Sequence, residues 1–187
     1  MDIAELKAEL EKLHSSSFGW ALSCCRHDTG EAEEVLQTVY LKILEGKARF
    51  RGESSFRTWL FAVIDKTAAG ERRKYLLRKL RLLRESQGES DGIASAERPD
   101  VAAEKSETQA RFQRALEQLP RRQRQTLHMV FYQDLSLREA AEVMGVSVGS
   151  ARRHYERGKK RLRESLGEAE IGYGVKWSRE KNPSVVS

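Results

Sequence analysis

Ile3, Leu6, Leu10 and Leu13 fall on one helical face, and Phe18, Ala21, Leu22 and Cys25 continue it, which predicts one long first helix ending near Arg26. Asp28 followed three residues later by Glu31 is a capping arrangement. The repeat of Ala32, Val35, Leu36, Val39 and Ile43 after it has the 3.6-residue period of a second amphipathic helix. A third helix is predicted from Ser54 or Ser55, with Phe56, Trp59, Leu60, Val63 and Ile64 as its buried stripe, and Leu76, Leu77, Leu80 and Leu83 supply a further apolar face beyond it.

The pattern is interrupted from Ser86 to Pro99 by SQGESDGIASAERP, which has almost nothing to bury and reads as a solvated linker. Periodicity resumes with Leu116, Leu119, Pro120, Leu127, Val130 and Phe131, two short helices meeting at a proline. Ser136-Leu137-Arg138-Glu139 is a capping box that opens a helix carrying Ala140, Ala141, Val143 and Met144, Gly145 supplies a turn, and a further helix starts near Val148 after Ser147. Ala140 allows close helix approach. Ser147, Gly149 and Ser150 leave the start of the next helix free of bulk, as groove entry requires, so the segment follows helix-turn-helix grammar. The prediction is all-α: two small helical domains, residues 1–85 and 108–166, joined by an acidic linker, 86–107, and followed by a mobile tail, 167–187.

Charge follows the same division. The 187-residue chain carries a net +6, and the excess is basic in 51–86 and again in 108–167, while 1–50 and 87–107 are acidic. Between Arg72 and Arg84 seven basic residues occur with no acid among them, a density that a polyanion relieves. Arg152, Arg153, His154, Arg157, Lys159, Lys160 and Arg161 load the last predicted helix in the same way. Phe50, Phe56 and Trp59 are interleaved with Arg49, Arg51 and Arg57 around Gly52, a combination of ring faces and cations that suits unstacked bases.

Other chemistry is poorly supported. His14, His27, His128 and His154 are scattered, and there is no CxxC, HExxH or phosphate-binding glycine loop. No catalytic residue, metal site or cofactor is therefore expected. The two cysteines, Cys24 and Cys25, are neighbours that point about 100° apart on a helix, which suits buried thiols in a reducing cytoplasm better than a mutual disulfide. No stretch reaches the ~20 apolar residues of a membrane span.

These motifs resemble bacterial RNA polymerase sigma factors of the sigma-70 superfamily, specifically the two-domain extracytoplasmic-function (ECF) subgroup, over about residues 5–85 and 108–166. Residues Ala32 to Ile43 resemble the family's helix that docks on the polymerase clamp, which implies Glu34, Gln37, Thr38, Tyr40 and Leu41 as core-binding residues. Phe56 to Ile64 resembles the Trp-Leu helix where the promoter is opened, and Arg49 to Ser54 the loop that captures a minus-10 base. The resemblance thus implies Arg49, Phe50, Arg51, Ser54, Phe56, Arg57, Trp59, Arg72 and Arg73 for minus-10 binding and melting. It implies Ser147, Gly149, Ser150, Arg152, Arg153, His154, Arg157 and Lys160 for the minus-35 element. The expected partners are core RNA polymerase, through its clamp and flap regions, promoter DNA, and an anti-sigma factor covering both modules.

One departure stands out: where the family has Ala-Arg-Asn after the Trp-Leu helix, this chain has Ile64-Asp65-Lys66, then Gly70. The minus-10 preference of relatives is not carried over for that reason. The competing expectation is a helix-turn-helix regulator that dimerises on operators and never joins polymerase. As a sigma factor, the 23 residues from Glu85 to Glu107 could span roughly 75 Å when extended, about two turns of B-DNA.

Overall fold

The computed structural model describes residues 2–85 and 107–166. The expected linker and tail lie outside these residues, except that Glu107 already begins a helix. Eight helices are present among the described residues: α1 (Ile3–Lys12), α2 (His14–Cys24), α3 (Thr29–Leu44) and α4 (Phe56–Glu85) in the first module, and α5 (Glu107–Glu117), α6 (Arg121–Phe131), α7 (Leu137–Met144) and α8 (Val148–Leu166) in the second. The all-helical expectation holds.

The expected long first helix is two helices. Asp2 and Glu5 close a reciprocal capping box on α1, and the chain then breaks at Leu13, the residue shared by the end of α1 and the start of α2. Ser15, Ser16 and Ser17 follow, residues that bond to nearby backbone in place of extending a helix; Ser16 Oγ donates to the Leu13 carbonyl at 3.1 Å. The break turns a different face inward. Ser17, Trp20, Ala21 and Cys24 are buried, whereas Phe18 and Leu22 are only partly covered. Trp20, fully buried, is the centre of the module: its indole donates to the Phe61 carbonyl at 3.0 Å and its ring stacks on Phe61.

The caps of α3 and α4 follow the sequence. Asp28 accepts from the Glu31 amide at 2.8 Å, and Ala32, Val35, Leu36, Val39 and Ile43 are the buried stripe of α3. Ser55 Oγ accepts from the Thr58 amide at 3.1 Å, which fixes the start of α4 at the second of the two expected serines. The helix then runs through Gly70 to Glu85. Leu60, Phe61 and Ile64 are fully buried, but Leu76, Leu77 and Leu80, three residues of the expected apolar face of the basic segment, are more than half exposed.

In the second module Pro120 is the N-cap residue of α6, one position before the first turn in which proline is usually tolerated. The Ser136–Glu139 box is complete, and Gly145 takes a left-handed φ of 62° that ends α7. α6 and α8 are in close contact at Gly158, where a Cβ would lie 3.1 Å from Leu127 Cδ1 and 3.2 Å from Gln123 Cβ.

The two modules share a core, which the sequence did not suggest. α7 packs on α4, and α6 packs on α2. Met129, Leu135, Ala140, Ala141, Val143 and Met144 join the cluster built on Trp20, Leu60 and Ile64, while a smaller cluster of Leu116, Leu119, Leu127, Leu162 and Leu166 stays within the second module. Polar contacts fasten the same seam. Asp65 Oδ1, in a residue 6% exposed, accepts from Arg121 Nη2 and Gln125 Nε2, each at 2.6 Å. Arg57 Nη2 donates to the Gln133 carbonyl at 2.5 Å and to its side-chain oxygen at 3.0 Å.

Gly158→Val should destabilise the protein by about 1–3 kcal/mol in urea unfolding, because the added carbons overpack the α6–α8 crossing. Gly149→Ala, where a Cβ meets nothing within 4 Å, should be neutral or slightly stabilising. Equal stability of the Gly158 variant and the parent would refute that crossing.

Candidate nucleic-acid interface

α8 has two faces with opposite tasks. Ala151, Gly158, Leu162 and Leu166 are buried, and Ser147, Gly149, Arg152, Arg153, Arg157 and Lys160 are exposed on the other side, with Ser150 and His154 half-buried beside them. Ser147 caps the helix, accepting from the Ser150 amide at 3.2 Å. Arg153 Nε reaches back to the Gly149 carbonyl at 3.4 Å, a contact weak enough to be exchanged for a base edge. All eight residues expected at the minus-35 element are therefore brought onto one helix and its capping residue, and six of them are open to solvent. Val148, 45% exposed at the tip, is an addition that the sequence reading used only as a helix start; an apolar side chain there suits a thymine methyl. Burial, and then the charges of Arg122, Arg157 and Arg153, lower the pKa of His154, which favours its neutral form.

The residues expected at the minus-10 element divide into two groups. Phe50, Phe56 and Trp59 form one aromatic cluster, with ring centroids 5.2 to 5.5 Å apart. The loop before it turns at Gly46 and Gly52, whose φ values of 71° and 76° suit glycine. Arg49 donates to the Gly46 carbonyl at 3.1 Å, Arg51 is exposed, and Ser54 Oγ bonds to the Ser55 carbonyl. Arg57 and Arg72 lie elsewhere: Arg57 is engaged by Gln133, and Arg72 donates to the Cys24 carbonyl from the opposite side of α4. Arg73 is exposed.

On α3, Glu34, Gln37 and Leu41 are exposed and Thr38 is half-buried, spaced so that all four share a side of the helix. Tyr40 sits apart from them, its hydroxyl 3.1 Å from His14 Nδ1, and burial raises its pKa. Glu34 and Thr38 line a shallow cleft against α4. Cys24 and Cys25 are free and buried, and burial pushes the Cys25 thiol up to about 12, so neither is a ready nucleophile. Among the described residues, no group of three or more His, Cys, Asp or Glu is placed to hold a metal ion, and no helix is long and apolar enough to cross a membrane.

A basic helix behind a capped turn, together with a loop that presents aromatics and arginines, is an arrangement chemically suited to nucleic acid. Comparison with known families gives the same division: residues 11–76 match sigma-70 region 2 and residues 109–162 match sigma-70 region 4. The chain is 27% identical over 149 residues to the RNA polymerase sigma-H factor of Pseudomonas aeruginosa, covering 75% of each. It is 28% identical over 140 residues to the ECF RNA polymerase sigma factor SigX of Bacillus subtilis, covering 74% of this chain and 72% of SigX. Its fold resembles that of the sigma factor RpoE of Bartonella quintana, crystallised with the anti-sigma factor NepR, with a TM-score of 0.63 and 21% identity over 88% of this chain and 98% of that one.

The chain belongs to the ECF group of sigma-70 family sigma factors. It is a non-catalytic subunit that binds core RNA polymerase and directs transcription initiation at specific promoters. The operator-binding dimer is thereby set aside.

His128 of α6 offers a test of the seam beside this interface. Its ring lies 5.5 Å from Trp20 and 5.3 Å from Tyr132, and burial, then the charge of His27, lowers its pKa from 6.5 to about 4. The unfolded chain therefore takes up this proton first as pH falls. The contribution of His128 is fully present above pH 6.5 and lost between 6.5 and about 4. Unfolding measured across that range should show a decline of roughly 3 kcal/mol that His128→Gln removes; an unchanged slope in the variant would contradict the buried, neutral imidazole.

Proposed function

We propose the following division of labour within the factor. Glu34, Gln37, Thr38, Tyr40 and Leu41 dock on the polymerase clamp. The loop from Arg49 to Ser54, with Phe50, Phe56, Trp59 and the arginines Arg57, Arg72 and Arg73, captures and opens the minus-10 element. Ser147 to Lys160 reads the minus-35 element in the major groove. The observation that carries the reading is the exposed row of Ser147, Gly149, Arg152, Arg153, Arg157 and Lys160 opposite a fully packed face, since a helix so anchored offers its basic side only to a groove.

Mechanism follows from the two surfaces. Cationic side chains on both modules supply affinity through phosphate contacts, which weakens as salt rises, whereas direct contacts from α8 supply sequence discrimination. Melting requires bases to leave the stack at a cost of a few kcal/mol each. The Phe50–Phe56–Trp59 cluster offsets that cost by giving an extruded base an aromatic wall. In the closed seam Arg57 is held by Gln133 and is not available to DNA. The modules therefore part before one chain contacts both promoter elements, and residues 86–107 give them the reach to do so. We place the factor in the cytoplasm, where polymerase is, and infer that an anti-sigma protein restrains it, as NepR is bound to the structurally similar RpoE.

Run-off transcription with core polymerase on genomic fragments tests the reading. Arg153→Gln should cost about 1–3 kcal/mol of discrimination at one minus-35 position while leaving core binding intact. Trp59→Ala should reduce promoter opening, followed by permanganate reactivity of unpaired thymines, more than upstream duplex binding. Specific initiation unchanged in both variants would refute the residue assignment.

A further inference from the structure

The seam between the modules leaves a cleft that the residues proposed to face polymerase and DNA, Arg72 apart, do not explain. It encloses about 430 Å³, within the range of small-molecule sites, and four of its lining residues are arginines: Arg26, Arg72, Arg121 and Arg124. Arg26 and Arg72 come from the first module, Arg121 and Arg124 from the second. The acid among the lining residues is Glu117, whose carboxylate lies 3.8 Å from His27 Nδ1.

Two further observations point to an occupant. The guanidinium groups outnumber the acids beside them: Arg121 is bonded to Asp65 and Glu117 lines the cleft, while Arg72 and Arg124 donate to the backbone carbonyls of Cys24, Glu117 and Leu119. A neutral carbonyl does not balance a guanidinium charge, and an oxyanion is the acceptor that suits several at once. In addition, α6 starts at this cleft, with Pro120 and Arg121 in its wall and no side chain capping it, so the positive end of the helix faces the same space. Burial lowers the pKa of Arg72 and of Arg124, and the charges of Arg121 on the first and Arg26 on the second lower them further. Like charges are thus held together with too few acids to balance them.

We propose that this cleft binds a small phosphate-bearing anion carrying at least two phosphoryl groups, and that the bound anion fastens the two modules together. Arg72 lies near Arg121 and Arg26 near Arg124 across the seam, so two joined phosphates can engage both cross-module pairs at once, one phosphoryl group at each. Because the site exists only while the seam is closed, its occupant favours the closed arrangement over the parted one that contacts two promoter elements.

Titration of the full chain with inorganic pyrophosphate, followed by calorimetry and by thermal melting, tests this. The expected result is saturable one-site binding, a rise in melting temperature with ligand concentration, and weaker binding of orthophosphate. Arg26→Asn, at an exposed loop position whose φ of 56° asparagine tolerates, should weaken binding by roughly tenfold, as should Arg124→Gln. Arg152→Gln on the distant face of α8 should leave it unchanged. Melting of each variant without ligand verifies folding, and Arg26→Asn carries the test if Arg124→Gln does not fold. Absence of saturable binding, or equal weakening by Arg152→Gln, would overturn the proposal, the latter by showing general attraction to a basic protein.

Discussion

Asp65 is the residue on which the arrangement of this molecule depends. A carboxylate buried in α4 is unfavourable unless it is paired and hydrogen-bonded, and none of its four polar partners, Arg121 and Gln125 at 2.6 Å, Arg122 at 3.8 Å and Cys24 Sγ at 3.9 Å, lies on its own helix. Three of the four belong to the second module. The first module can therefore satisfy Asp65 fully only while the second is docked, and Arg122, 3.8 Å from the other oxygen, adds to the same preference. The apolar part of the seam, from Trp20 through Ile64 to Met144, supplies adhesion; the carboxylate supplies register.

That seam connects the fold to its task. The surfaces proposed to face polymerase and the upstream duplex, the outer side of α3 and the outer side of α8, are open in the closed arrangement, whereas Arg57 is held by Gln133. On that proposal a factor in this state is recognised by its partners before it opens DNA. Polar and charged groups make such a seam separable, because water replaces their partners on opening, which it cannot do for a purely apolar core. The aromatic cluster of Phe50, Phe56 and Trp59 lies on the first module alone, so it survives separation unchanged.

What could be read from the sequence was local. The Ser136–Glu139 box, the turn at Gly145, the Ser147 cap and the Asp28 cap each depend on residues three or four apart, and each was found where expected. The start of α8 and the basic residues along it followed from the same short-range rules. The break at Leu13 escaped because apolar spacing continued across it while the serines that favour it do not disturb that spacing. Trp20 escaped for the same reason, since the break rotated the buried face away from Phe18 and Leu22. The shared core was invisible in principle: Arg57 and Gln133 are 76 positions apart, and no periodicity reports a contact at that range. Asp65 was noticed only as a departure from a family pattern, and its physical role required its partners. The leucines of the basic segment show the converse error, since helical spacing at Leu76, Leu77 and Leu80 offered an apolar face that the second module, docked on the earlier half of α4 at Arg57 and Asp65, does not cover.

The central claim is that the modules form one closed body in the free factor and part to engage a promoter. Spin labels at the exposed positions Lys47 and Lys160, with the distance between them measured by pulsed electron resonance, test it most directly. The account predicts a single narrow distance for the free chain and a different, longer one in the complex with core polymerase and promoter DNA. The same distance in both states, or a broad distribution in the free chain, would contradict it.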